Sequence, residues 1–344
     1  MLVVIFGAGA TYDSVPSSPA TSDDIFAKVG PRPPLTKHLF LDRFNAILAQ
    51  YPQCRPIVPY LKQISEASSI EQELEKLQSE GREYAERFRQ LAAITFYLQD
   101  MIAQTQRQWE SISQGITNYR TFIDQVLHHM ANIGKVCFIT FNYDTMLDNI
   151  LPFGGGFPTI ADYVSNENFK LIKLHGSVNW AREVETEIAN LGRDAAKRSD
   201  ADLVNELIER TPELKLSDTF HVVANPHVRE LNGKALYPAI AIPAQSKQRF
   251  ECPQAHVDAL KACIPEVDKM ILIGWSGNEQ FFLELLRDNL RKSLKIMLVT
   301  GTEEGGHQLE AKLKASGITG EVRTSTTFTD FVVHRETDSF LASG

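Results

Sequence analysis

Met1-Leu2-Val3-Val4-Ile5-Phe6-Gly7-Ala8-Gly9-Ala10-Thr11 opens the chain, and its reading decides the fold. An unbroken apolar run followed by small residues describes a strand buried on both faces that ends in a tight turn. The run opens like a signal peptide, but it lacks a basic start and the glycines follow too soon. It reads as core, and the protein as cytoplasmic. A glycine turn directly after a first buried strand lets backbone N–H groups approach a pyrophosphate, although it also serves as a turn with no ligand. The dinucleotide fingerprint wants a third glycine near Tyr12 and, about 20 residues on, an acidic residue closing a second strand. Tyr12 replaces that glycine and no strand candidate follows until Val136. That argues against an ordinary nicotinamide dehydrogenase.

Outward from this start, short apolar runs recur at Val136–Phe141, Leu171–Leu174, Phe220–Ala224, Ala239–Ile242, Met270–Ile273 and Lys295–Val299. Most are continuous, the pattern of strands buried on both faces. Helical stretches are expected at Asp144–Ile150, Gln254–Cys263, Glu279–Lys292 and Gly305–Ala315. This alternation predicts an α/β fold: a parallel sheet with helices on both sides. Residues 22–133 hold no good strand candidate and read as a large helical insertion between the first and second strands. Within it Ile70, Leu74, Leu77, Tyr84, Phe88, Leu91, Leu98, Ile102, Trp109 and Ile112 recur at spacings of three and four, with Gly81 in a gap. That fits one long helix, or two joined near Gly81, packed within the chain or against another subunit. A further helix is expected from Thr36 to about Gln50. The domains read as 1–21 (first strand and glycine loop), 22–133 (insertion) and 134–344 (the rest of the sheet domain). The last carries a charged surface insertion at about 179–218, with a helix candidate at Ala196–Arg210. Gly154-Gly155-Gly156 reads as a flexible connection.

The 344 residues suffice for roughly two domain-sized units, and the 43% apolar and 23% charged residues are those of an ordered globular protein. Lys+Arg 35 against Asp+Glu 43 leaves a net charge of −8, which argues against a general grip on nucleic acid. No apolar run approaches the length of a membrane helix. Cys54, Cys137, Cys252 and Cys263 form no CxxC pair, so a Cys₄ zinc site and a disulfide framework are not expected.

The candidates for chemistry lie where strands end, because open α/β sheets bind ligands outside the carboxyl ends of their strands. Gly7, Ala8, Gly9 and Thr11 follow the first strand. In Thr140-Phe-Asn-Tyr-Asp144, Asn142 and Asp144 offer an amide and a carboxylate to one crevice; Asp144 could equally be a plain helix N-cap. His175-Gly-Ser177 follows the third strand and reads as catalytic; His227, His256, His307 and His334 read as surface residues. Gly274-Trp-Ser276-Gly-Asn278 and Thr300-Gly-Thr302 end the later strands with hydroxyl and amide donors suited to phosphate or ribose.

Taken together, the segments 7–11, 140–144, Lys173-Leu-His-Gly-Ser-Val-Asn-Trp180 and Ile273–Asn278 resemble the sirtuin (silent information regulator) superfamily, in its bacterial antiviral-defence branch. Arg32-Pro-Pro-Leu-Thr-Lys-His-Leu-Phe40 is similar to the loop-and-helix lead-in of that branch, whereas about 50–130 carries no matching motif. The resemblance implies a Rossmann-like domain that takes NAD+ as its substrate. It places Asn142, His175 and Asp144 in catalysis. Gly7, Ala8, Gly9, Thr11, Asp13, Thr140, Gly274, Ser276, Asn278 and Thr300 would bind the dinucleotide. The four-cysteine zinc ribbon of the family's deacylases is missing from the sequence, so no metal is expected and deacylation is disfavoured. What is left is NAD+ hydrolysis to nicotinamide and ADP-ribose, used in antiphage defence by NAD+ depletion (abortive infection).

Such an activity needs gating. Glu321–Gly344 is too short for a sensor domain, so control in trans is expected. The controller would be homo-oligomerisation or a partner such as a HerA-type translocase, an Argonaute-like protein or a nucleotide-processing protein. The alternatives are a non-catalytic NAD+/ADP-ribose-binding sensor subunit, or ADP-ribosyl transfer or deacylation.

Overall fold

A computed structural model describes residues 1–17, 32–65, 70–81, 84–151, 156–188, 199–242 and 250–342. Expectations for Pro31, for Gly154 and Gly155, and for residues 189–198 lie outside them.

The strands are β1 (Leu2–Phe6), β2 (Val136–Thr140), β3 (Phe169–Lys173), β4 (Gly176–Val184), β5 (Leu216–Val222), β6 (Glu230–Leu231), β7 (Lys234–Ile240), β8 (Lys269–Ile273), β9 (Leu294–Val299) and β10 (Gly320–Ser325). Before β2 lie helices α1 (Ala8–Tyr12), α2 (Asn45–Leu48), α3 (Val58–Ser65), α4 (Ile70–Glu80), α5 (Ala85–Ser113), α6 (Asn118–His128) and α7 (Met130–Ile133). Then come α8 (Asp162–Ser165), α9 (Asp200–Glu209), α10 (Gln254–Cys263), α11 (Gln280–Asn289), α12 (Glu303–Ala315), α13 (Phe328–Val333) and α14 (Glu336–Ala342).

The chain forms two units. The first comprises Met1–Leu35, Thr105–His175 and Ser246–Gly344. It holds a six-stranded sheet ordered β10-β9-β8-β1-β2-β3, every pairing of which is parallel. This is the doubly wound, Rossmann-like order: the sheet grows from β1 toward β3, then reverses and grows from β8 to β10. The switch point, where ligand crevices open in such sheets, lies between β1 and β8. β1 and β2 are buried at every residue, as a sheet covered on both faces requires. The rings of Tyr119 and Phe122 in α6 and Phe328 in α13 pack on Phe6 of β1.

The second unit comprises Thr36–Gln104 and Gly176–Gln245, with an antiparallel sheet ordered β5-β4-β7-β6. The expected boundaries at 22, 134, 179 and 218 therefore group the chain differently. The stretch expected as a charged surface insertion supplies residues 179–184 of β4, a mostly buried strand, together with α9 and the start of β5. The runs near 220 and 239 are antiparallel strands of this sheet, β5 and β7, not members of the parallel one. Edge strand β10, rich in polar residues, was not anticipated.

Of the expected seam, α4 and α5 form with their break beside Gly81. Ile70, Leu74, Leu77, Leu91, Leu98, Ile102 and Trp109 are buried, while Tyr84 and Ile112 are exposed. The single helix expected from Thr36 to Gln50 is instead three short pieces, two 3-10 turns and α2. Residues 144–150 form turns rather than a helix. The Asp144 carboxylate takes the Met146 N–H and the Asp144 carbonyl accepts from Lys173 Nζ, so that carbonyl is drawn away from the i→i+4 ladder. No helix among the described residues is long and apolar enough to cross a membrane.

Candidate active site

All the candidate residues lie in the first unit. Sheet register gathers them. Ser325, Val299, Ile273, Phe6, Thr140 and Lys173 pair in one row across all six strands. Each loop that the sequence singles out leaves from this row: the glycine turn after Phe6, Asn142 two residues past Thr140, His175 two past Lys173, Gly274–Asn278 after Ile273, and Thr300 after Val299. Parallel pairing alone explains why motifs scattered over the chain meet at one edge.

At the switch point the loops after β1 and β8 touch backbone to backbone. A Cβ on Gly7 would lie 2.5 Å from the Gly274 carbonyl oxygen, and one on Gly274, whose φ is +61°, 2.1 Å from Ala10 N. Only glycine fits such an approach. The Gly7 N–H donates to Ile273 O and the Gly9 N–H to Gly274 O, both at 3.0 Å. These amides, expected to cradle a pyrophosphate, are committed to joining the two loops.

Beneath the edge lies a buried polar floor. The Asn142 side-chain amide donates to Gly7 O (2.9 Å), Thr11 Oγ1 (2.9 Å) and Tyr119 Oη (3.3 Å). Thr11 Oγ1 donates to Asp144 Oδ2 at 2.8 Å, and Thr140 Oγ1 accepts the Asn142 N–H. Burial pushes the Asp144 carboxyl above the ordinary carboxylate range, against the pull of Lys173, Thr11 and the Met146 amide. It pushes the Tyr119 phenol up as well. No helix forms at 145–150, but Asp144 still caps the turns there, its Oδ1 accepting the Met146 N–H at 3.0 Å.

His175 is half-buried. Its ring lies edge-on to Phe141 (4.9 Å between centroids) and roughly parallel to Tyr143 (6.1 Å), the two neighbours of Asn142. Phe141 also stacks on Trp275 from the β8 loop. An aromatic wall thus runs from the β3 end to the β8 end. Of the outer residues, Ser276 is exposed and Ala8, Gly9, Gly274, Asn278 and Thr300 are part-exposed. Lys312 Nζ donates to Ser276 O (2.8 Å) and Asn278 Oδ1 (2.7 Å), and Thr300 Oγ1 donates to Thr302 O.

Two expectations are corrected. Asp13, expected at the dinucleotide, is buried and accepts from the N–H (2.8 Å) and hydroxyl (3.0 Å) of Thr329, so it caps α13. His256, expected at the surface, is wholly buried and accepts from Lys173 N.

Sequence reasoning gave no role to Lys173, Tyr119 or Arg32. Arg32 donates to Tyr12 O and its guanidinium stands over the Tyr12 and Trp109 rings. A lysine closing the apolar run Leu171-Ile172-Lys173-Leu174 was a legible signal for the first. Tyr119 and Arg32 meet the site only through tertiary structure.

Neither a protein-family model nor a curated protein matches the chain. Among solved structures it is similar to one of Sir2Tm bound to a propionylated peptide, at 11% identity and a TM-score of 0.38, over 99% of this chain and 94% of that one. The Rossmann-like assignment rests on the strand order itself.

Proposed function

We propose that the protein is an NAD+ hydrolase, cleaving the bond between nicotinamide and ribose at the carboxyl edge of the parallel sheet. The observation that carries this reading is the register row. It sends Asn142 and His175 from the adjacent ends of β2 and β3, on the same carboxyl edge as the β1–β8 switch point, where dinucleotides lie in doubly wound sheets. In the reaction a water oxygen bonds to the ribose anomeric carbon as the carbon–nitrogen bond to nicotinamide breaks. The electron pair goes to the nicotinamide ring, and the water gives up a proton. His175 is assigned as the base taking that proton, a part-exposed imidazole packed against the Phe141 and Tyr143 rings. Asn142 has its N–H donors engaged below, so it offers a ribose its Oδ1. Asp144, one hydroxyl away through Thr11, supplies negative potential toward the developing cation. The outer residues Ser276, Asn278 and Thr300 are assigned to the adenosine end.

The defence role, the cytoplasmic setting and control by an oligomer or a partner protein belong to the same proposal, and their support is the motif resemblance. A second reading is a binding module for NAD+ or ADP-ribose without turnover, using the same crevice. The engagement of the Gly7 and Gly9 amides within the protein weighs equally on both readings, since neither amide is left for a pyrophosphate. Incubation with NAD+, with and without co-purifying protein, separates the two. Free nicotinamide with equimolar ADP-ribose supports hydrolysis. Retention of intact NAD+ supports the module, and release only with an added acceptor supports transfer.

A further inference from the structure

Lys173 is the last residue of β3 and its side chain is 0% exposed. Its ammonium donates to the Asp144 carbonyl (2.6 Å) and to Asp148 Oδ2 (2.9 Å). Tyr163, from α8, donates to the other Asp148 oxygen at 2.6 Å. All four residues lie in the first unit. A buried ion pair is a poor source of stability, since desolvating the two charges offsets most of their attraction and apolar residues of similar volume do as well or better. Such a pair is best understood by what it holds in place. Here it holds 144–148, the turns that stand where a helix was expected, immediately after Asn142.

We propose that Lys173 is the positioning residue of the site. In this view its buried ammonium clamps the Asp144–Asp148 segment and so sets the Asp144 carboxylate against Thr11 and, through Thr11, Asn142. The inference rests on the hydrolase reading for its catalytic consequence, but not for the clamp itself. Two further features agree with it. Tyr163 locks Asp148, so the anchor cannot swing away with the lysine. The cation also opposes the effect of burial on the Asp144 carboxyl. The groups facing Asp144 are Lys173 from β3, Tyr119 from α6, Thr11 from α1 and Asp148 from its own segment.

Lys173→Met alone would strand a buried carboxylate with no cation, whereas in Asp148→Asn the ammonium keeps the Asp144 carbonyl and an amide oxygen as acceptors. The informative comparison is therefore Asp148→Asn, checked for a cooperative melt, against Lys173→Met/Asp148→Asn. Both variants lack the Asp148 charge and they differ only in the lysine. The double variant is expected to keep its circular dichroism spectrum and a cooperative melt. Its kcat for nicotinamide release should fall about 100-fold relative to Asp148→Asn, the loss typical of a misplaced reacting group, with KM for NAD+ little changed. The acid limb of its kcat/KM profile should also move to higher pH, because Asp144 loses the cation that favours its ionised form. Any cation beside Asp144 would have that effect, so the fall in kcat at little-changed KM is the readout that separates positioning from charge.

A folded double variant with unchanged kcat overturns the proposal, whether or not the acid limb moves. If the double variant does not fold, hydrogen exchange on the wild-type protein decides. The Met146 amide, bonded to Asp144 Oδ1, should be protected as strongly as the amides of β2; exchange at the rate of a free loop overturns the clamp. Wild-type protein that never releases nicotinamide would remove the hydrolase reading, and Met146 protection would still test the clamp by itself.

Discussion

Asn142 and Gly7, 135 positions apart, are joined by a 2.9 Å hydrogen bond from the side-chain amide of the first to the carbonyl of the second. The bond ties the end of β2 to the end of β1, the strand that borders the β1–β8 switch point on its other side. It also explains why an asparagine, with donors and an acceptor on one short side chain, suits this position: its NH₂ faces three acceptors of the protein interior.

Asn142→Ala is therefore expected to cost stability as well as activity. The buried Gly7 carbonyl loses one of its two donors and keeps the Ala10 N–H, an effect of about 0.5–1.5 kcal/mol, the net worth of one hydrogen bond. Urea unfolding measures it, and nicotinamide release from the folded fraction should be abolished.

His175→Gln should separate the two effects. The imidazole is half-buried at the rim, so unfolding should change by less than about 1 kcal/mol. Turnover should drop by about 10²–10⁴-fold, the usual contribution of a general base. Wild-type rates of nicotinamide release in this variant would remove His175 from the mechanism.

Gly274→Ala tests the contact between the β1 and β8 loops. The new methyl would need a positive φ and would lie 2.1 Å from Ala10 N. Strain and overpacking together should destabilise the protein by at least about 2 kcal/mol, read as a lowered melting temperature. A variant as stable as the wild type would mean that the loops do not meet as described.

His256 provides a prediction in pH. Burial pushes its imidazole down from 6.5 to about 3. The unfolded chain binds a proton near pH 6.5 that the folded chain refuses until near pH 3. Stability contributed by neutral His256 is thus present above about pH 6.5 and falls as pH drops through that window. The loss is about 2 kcal/mol by pH 5, at 1.36 kcal/mol per pH unit. Urea titrations at pH 7 and pH 5 should show a smaller difference for His256→Gln, which keeps an acceptor for Lys173 N, than for the wild type.

How much of this was legible differs from element to element. The first strand was read to the residue, because an unbroken apolar run ending in glycines has few other structural meanings, while the glycine stretch expected as a turn opens the short helix α1 at Ala8. β2, β8 and β9 were found within a residue at either end for the same reason. β10 escaped: Gly-Glu-Val-Arg-Thr-Ser is an edge strand, and edges carry polar side chains that look like loop. The helix expected at 144–150 failed for another reason. Its backbone is claimed by a lysine on a neighbouring strand, and no local propensity registers such a partner.

Asp13 and His256 show the limit most clearly. Each is a polar residue of a type used in active sites, and each is taken up by packing: one caps a helix that begins 315 positions later in the chain (328 − 13), the other is sealed beside Lys173. Composition and periodicity determined, unaided, the α/β class, the buried first strand, the helical seam over α4 and α5, and the loops in which polar residues follow strands; that the seam is two helices and not one was left to the structure. Those properties depend on neighbours within a few residues. The strand order, the row that aligns Thr140 with Lys173, the antiparallel second sheet, and the question of which polar side chain faces solvent and which faces the interior were decided only in three dimensions. Hydrogen bonds and burial between distant segments set them, and their energies have no counterpart in any short window of sequence.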